Sequence, residues 1–208
     1  VNLVSFVNKV AEKININWEV EPKEELIGGR IVISCSGYQK ELHDQLLKEC
    51  LSKGNKAYEM MYLVPPSLVE RDGKKKHFKE TARFSEMNIY LWDGTDSDLR
   101  TEYPTELNQH RLLQYESCRG LEGWTVVCLD FDQFVKYKME TYEEEKVNEL
   151  ALESFDEKRD RFVYLWSLIP LTRAIDTLVI TINDKESKIH RILREIYEEN
   201  PDFIQWIE

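Results

Sequence analysis

No run in this 208-residue chain reaches the roughly 18 uninterrupted apolar residues that a membrane-spanning helix needs, so no helical span is expected. A secretory leader is not expected either, because Lys9, Glu12 and Lys13 break the apolar pattern of the first turns. Cysteine is sparse: Cys35, Cys50, Cys118 and Cys128 are scattered, and no two form a Cys-x-x-Cys pair. That usage fits reduced thiols in a cytoplasmic protein better than disulfides or zinc. Of the four, Cys118 adjoins a cation, Arg119, the kind of neighbour a thiolate nucleophile needs. There is no Gly-x-x-x-x-Gly-Lys-Ser/Thr phosphate loop, no His-Glu-x-x-His metal motif and no Gly-x-Ser-x-Gly elbow. His43, His77, His110 and His190 stand alone in sequence, so an autonomous enzyme is hard to assemble from these residues, and no metal site is expected. The chain shows no internal repeat and no low-complexity tract, and its lack of an initiating Met suits a segment of a longer protein.

What is present describes a globular domain: 42% hydrophobic residues, five Trp, and a length that suits one domain with a real core. The net charge is −11, and residues 140–160 hold nine acids against three bases, −6 in that stretch alone. The remainder carries only −5, so the acidity is local. Binding of nucleic acid by bulk electrostatics is excluded, while a neutral or basic groove elsewhere is not.

Leu3, Phe6, Val7, Val10 and Ile14 follow helical spacing and predict an opening amphipathic helix. Gly28-Gly29 then breaks the chain before a short strand, Ile31-Val32-Ile33. Leu42, Leu46, Leu47, Cys50 and Leu51 mark a helix that Gly54 ends. Further strands are expected over Met87–Trp92, Leu112–Tyr115 and Val126–Leu129, and helices over Glu143–Leu152 and Glu157–Leu168. The run from Leu178 to Ile182 reads as a strand covered on both faces. A last helix follows, capped by Asn183 or Asp184, with Ile189, Ile192, Leu193, Ile196 and Tyr197 inward and Pro201 beyond its end. Strand–helix alternation of this kind predicts an α/β domain.

Two polar segments interrupt these apolar runs. The first, Gln114–Trp124, places Ser117, Arg119, Gly120 and Glu122 in a turn between two strands, and strand ends of an open α/β sheet are where ligands bind. The second, Leu168–Ala174, sets Arg173 directly before a buried strand, where a planar guanidinium suits bidentate contact with phosphate. Taken singly, each has a plainer reading: a glycine turn with solvated charges, and an arginine that caps helix carbonyls.

Together the segments resemble motifs V and VI of superfamily 1 helicases of the UvrD/Rep/PcrA type. Arg119-Gly120-Leu121-Glu122 is similar to the core of motif V, and Leu171-Thr172-Arg173-Ala174 with the strand Leu178-Val179-Ile180 is similar to motif VI. The resemblance covers most of residues 29–196. It implies that residues 1–208 are a second RecA-like domain, with a P-loop-NTPase-type, mostly parallel sheet between two helical layers and a small insertion around residues 55–110. It also implies an ATP-dependent DNA or RNA helicase whose ATP and Mg2+ are held mainly by an upstream RecA-like domain, leaving the isolated chain inactive. Arg173 would be the arginine finger, a group contributing about 10³–10⁵ in rate. Glu122, Gly120 and Thr172 would lie on the nucleotide side, and Ser117, Arg119 and Gln114 on the side of the nucleic-acid strand, most simply single-stranded DNA.

Glu116, Gly123 and Pro170 depart from the family's pattern and motivate an alternative: a catalytically degenerate helicase-like module that binds protein or nucleic acid. Outside both segments, the stretch Arg71–Lys79 reads as a solvated hairpin tip able to touch a nucleic-acid backbone, and Asp93, Asp98 and Arg100, after the Trp92 strand, are unassigned candidates for an active-site cleft.

Overall fold

The computed structural model describes residues 1–23, 28–96, 104, 106–143 and 154–208. Apolar residues at helical spacing bury Phe6, Val7, Val10 and Ala11 on one face of α1 (Asn2–Lys13). Strand β1 (Arg30–Ser34) leads into α2 (Lys40–Ser52), which ends where Gly54 takes φ +83°. Next come β2 (Met60–Val64), an antiparallel hairpin of β3 (Val69–Asp72) and β4 (Lys75–Phe78), α3 (Thr81–Glu86) and β5 (Leu91–Asp93). The chain continues through β6 (His110–Gln114), β7 (Gly123–Cys128), α4 (Phe131–Glu140), α5 (Phe155–Leu171), β8 (Ala174–Thr181), α6 (Lys188–Glu199) and β9 (Ile204–Ile207).

Seven strands form one sheet in the order β5-β6-β2-β7-β8-β1-β9, and every pairing in it is parallel. Both faces are covered, which is why β2 and the end of β8 are continuous apolar runs rather than alternating ones. Phe6, Phe134, Val163, Leu168 and Leu193, from α1, α4, α5 and α6, share one core with Ile31, Ile33, Val126 and Ile180. On the other face, Leu46 of α2 and Phe84 of α3 share a core with Val32, Tyr62, Leu112 and Val179. The result is the three-layer, mostly parallel α/β sandwich that the sequence predicts. Among the described connecting elements, α2 and α3, on the way toward β5, lie on one face, and the Tyr115–Cys118 crossover, α4, α5 and α6, on the way toward β9, lie on the other, as right-handed crossovers impose.

Several elements differ from the sequence reading. Residues 87–90 are not strand: Met87 closes α3, Asn88 adopts φ +59°, and only Leu91–Asp93 pairs with β6. Helix α4 was not foreseen, although Phe131, Phe134, Val135 and Lys138 bury one face at helical spacing. The edge strand β9 was not foreseen either. The helix expected over Glu143–Leu152 lies, beyond Glu143, outside the described residues. Ser187, not Asn183 or Asp184, caps α6 by accepting the His190 N–H. Asn183 and Asp184 instead donate backbone N–H groups to the buried Asp132 carboxylate, which fixes the turn before that helix. Helix α5 opens on a capping box, Ser154 with Glu157, and runs past the predicted end to include Pro170.

Candidate functional site

The segment Gln114–Trp124 is a crossover from one edge of the sheet to the other. Gln114 pairs with Val64, whereas Thr125 pairs with Met60, so Gln114 stands six residue steps above Gly123 along the strands. At about 3.3 Å per residue the two are roughly 20 Å apart along the strand direction. Between them a short 3-10 turn, Tyr115–Ser117, and the buried Tyr115 and Cys118 lay the crossover against the sheet. Residues that are neighbours in sequence therefore serve opposite edges.

At the lower, N-terminal edge the two singled-out segments meet. The Gly123 N–H donates to the Arg173 carbonyl at 3.1 Å, and Gly123 pairs with Ala174 as β7 and β8 begin. Gly123 is needed there for a second reason: a Cβ would stand 3.0 Å from the Glu59 carbonyl and 3.2 Å from the Met61 Cβ. Gly120, at φ +75°, faces open space, so glycine is required by backbone conformation rather than by close packing within this chain. Glu122 is exposed, and its carbonyl accepts from the buried Arg111 Nη2 at 2.7 Å while Arg111 Nε donates to the Tyr58 carbonyl at 2.6 Å. Arg111 thus locks the backbone that presents Glu122.

Arg173 follows the last turn of α5. Its Nε donates to the Ile169 carbonyl at 3.1 Å and its Nη2 to Thr172 Oγ1 at 2.8 Å, while the Thr172 hydroxyl donates to the same Ile169 carbonyl. The side chain therefore caps helix carbonyls, the plainer of the two roles an arginine has at this junction. Arg119 lies 3.9 Å over the Trp166 ring, and Lys138 lies 4.2 Å from the same ring while pairing with Glu116 at 2.6 Å. Glu116, a departure from the family pattern, is thus neutralised by Lys138. Trp166 sits on α5 two turns before Arg173, so one helix carries Arg173 and the support of Arg119.

Among the described residues neither Arg119 nor Arg173 meets a carboxylate, although Arg30, Arg83, Arg159 and Arg194 all do. Arg71, Arg111 and Arg191 also lack such a partner, but Arg119 and Arg173 both lie close enough to Cys118 to act on its thiol, and two unpaired guanidiniums brought together suit an external anion. A groove of about 270 Å³ opens beside Arg173, walled by Leu3, Val7, Trp18 and Leu171. Asn8 holds the Trp18 segment to α1 by bonding both the N–H and the carbonyl of Val20. Burial pushes the Cys118 thiol up to about 11, against the opposing pull of Arg173 and Arg119, which disfavours the thiolate a nucleophile needs. Among the described residues no group of three or more His, Cys, Asp or Glu could hold a metal ion.

At the upper, C-terminal edge Gln114 is buried, and its amide donates to the Thr95 carbonyl at 2.8 Å. It supports a loop rather than facing solvent. Ser117, half-buried, closes the turn between the two edges. Asp93 belongs to this upper loop; Asp98 and Arg100 lie outside the described residues. Sequence reasoning missed Arg111, Lys138 and Trp166. Arg111 had only a weak signal, a charge directly before the apolar pair Leu112-Leu113 of β6, and the Arg119–Trp166 contact had none.

No family model and no curated protein matches the sequence. Among solved structures, the C-terminal domain of a possible DNA helicase from Lactobacillus plantarum WCFS1 is similar to this chain at 11% identity and a TM-score of 0.49, over 97% of this chain and 95% of that one. No helix among the described residues is long and apolar enough to cross a membrane.

Proposed function

We propose that this chain is the second RecA-like motor domain of an ATP-dependent helicase of the UvrD/Rep/PcrA type. One observation carries the reading: the Gly123–Arg173 backbone bond joins the motif V-like and motif VI-like segments at one sheet edge, beside two guanidiniums without acidic partners. In this reading Arg173 is the finger that contacts the terminal phosphate, Thr172 positions it, and Glu122 and Gly120 face the nucleotide. Ser117 and Arg119 lie toward the nucleic-acid strand, whereas Gln114, which the sequence grouped with them, holds the Thr95 loop at the upper edge. The guanidinium donors fit a phosphate group, and ATP supplies the phosphoryl group to be transferred when bound. In this reading Mg2+ and the main phosphate cradle belong to an upstream RecA-like domain of the same protein; among the described residues no carboxylate cluster competes for that ion.

To reach a nucleotide on a partner domain, Arg173 has to leave the Ile169 carbonyl and swing outward. Its present attachment favours a second reading, a helicase-like module that binds without hydrolysis. Steady-state ATPase assays on the 208-residue chain and on the full-length protein, with and without oligo(dT) or oligo(U), separate the two. The motor reading expects no turnover from the chain alone and strand-stimulated turnover from the full protein. A full-length protein that binds strands but never hydrolyses ATP supports the second reading.

A further inference from the structure

The β3–β4 hairpin holds Arg71, Lys74, Lys75 and Lys76 against Glu70 and Asp72, a net +2, while the other residues of the chain sum to −13. It is the reverse of its surroundings in charge. A two-stranded ribbon of four-residue strands is marginal by itself, and adjacent like charges weaken it further. The fold nonetheless holds it firmly. Phe78 and Lys76 turn their outward backbone N–H groups to the Asp93 and Asp96 carboxylates, both at 2.8 Å, so two acids stand in for a third strand. Asp93 is itself fixed by Thr95, whose carbonyl takes the Gln114 amide. The end of β6, a core strand, is thereby tied to the ribbon. Phe78, buried in the second core, anchors its base.

Cross-strand pairing sets Arg71 opposite Lys76, so both project from one face of the ribbon, with Lys74 in the turn beside them. No ammonium of Lys74, Lys75 or Lys76 pairs with a carboxylate among the described residues; Lys74 and Lys75 are exposed and Lys76 is half-buried. The turn, Asp72-Gly73-Lys74-Lys75, carries no apolar side chain to enter a lipid layer. Arg71 and Lys76 on one face, Lys75 on the other and Lys74 in the turn surround the tip with positive charge, which matches the phosphodiesters of a strand passing it.

We propose that this hairpin is a fixed basic prong that grips the sugar-phosphate backbone of a single nucleic-acid strand at the C-terminal edge of the sheet. The proposal rests on the motor reading only in its choice of nucleic acid as the polyanion. Its test is fluorescence anisotropy of labelled dT20 and rU20 with the nucleotide-free full-length protein between 50 and 200 mM salt. The variant Lys74→Ala/Lys75→Ala/Lys76→Ala is expected to bind about tenfold or more weakly, with a log–log salt slope shallower by about 2, near 0.7 per lost contact. The matching triple Lys→Arg variant should retain the wild-type slope, which separates charge from misfolding. An unchanged slope in the alanine variant overturns the prong, as does binding of the wild type to phosphatidylserine vesicles but to neither oligonucleotide. An unchanged slope leaves the motor reading intact, since that reading stands or falls on strand-stimulated ATP turnover, whereas failure to bind either oligonucleotide counts against both.

Discussion

Arg173→Ala in the full-length protein is expected to lower the single-turnover rate of ATP hydrolysis by about 10³-fold or more while leaving nucleotide affinity within a fewfold of wild type. The reason is positional. Arg173 stands where α5 stops and β8 starts, and its backbone is fixed on both sides by the Gly123 bond and the bond from its own N–H to the Pro170 carbonyl. Only the side chain is left to move. A guanidinium that acts on charge developing at a transferring phosphoryl group stabilises the transition state more than the bound ground state, so rate suffers and binding does not. Arg173→Lys should recover little, because an ammonium offers no planar fork. Loss of the cap to Ile169 lowers stability as well, so thermal unfolding of both variants is measured alongside. Near-normal turnover in Arg173→Ala would remove the finger from the account.

The second large effect concerns the core on the other side of the sheet. Tyr38, His43 and Tyr62 form a closed, buried triangle: His43 Nδ1 lies 2.9 Å from the Tyr62 hydroxyl, and the two hydroxyls are 3.1 Å apart. His110 packs edge-on at 5.0 Å between ring centres and bonds the Ala57 carbonyl through Nδ1. His43 Nε2 is buried without a partner, so a proton there would be a charge with nothing to meet it. Burial, and then the neighbouring His110, lowers its pKa to about 4; burial lowers that of His110 as well. Below its ordinary value of 6.5 the unfolded chain takes up a proton that the folded chain refuses. Stability is therefore complete above that pH, falls as the pH drops, and levels near 4. His43 alone accounts for about 3 kcal/mol over this window, with about 2 kcal/mol gone by pH 5. Urea unfolding at pH 7.5 and pH 5 reads the loss directly, and His43→Gln should flatten much of it. A wild-type midpoint unchanged between the two pH values would contradict the triangle's role.

The fold was legible where one signal dominated. The opening helix, the strand at Ile31–Ile33, the helix ended by Gly54 and the doubly buried β8 all rest on periodicity or on an unbroken apolar run. The errors occurred where local pattern and tertiary role diverge. Residues 87–90 alternate like a strand but close a helix, because Asn88 turns the chain before β5 can pair. β9 contains only four residues, and its place beside β1 depends on a partner 173 positions away that no local pattern reveals. In the candidate site, motif-like residues announced Arg173, Glu122 and Gly120. Their meeting at one edge, and the dispatch of Gln114 to the other, follow from strand register, which a single sequence does not encode locally. Arg111 and Trp166, which fix Glu122 and Arg119, act through contacts across 11 and 47 positions, outside the reach of any motif.

The claim at the centre is spatial: Arg173 faces the phosphates of a nucleotide held by the upstream domain. Phenylglyoxal modification of arginines in the full-length protein, read residue by residue by mass spectrometry with and without ADP–aluminium fluoride, tests it most directly. The account predicts that Arg173 is protected when the analogue is bound, while Arg191, on the exposed side of α6, labels equally in both states. Equal labelling of Arg173 with and without a bound analogue would contradict it.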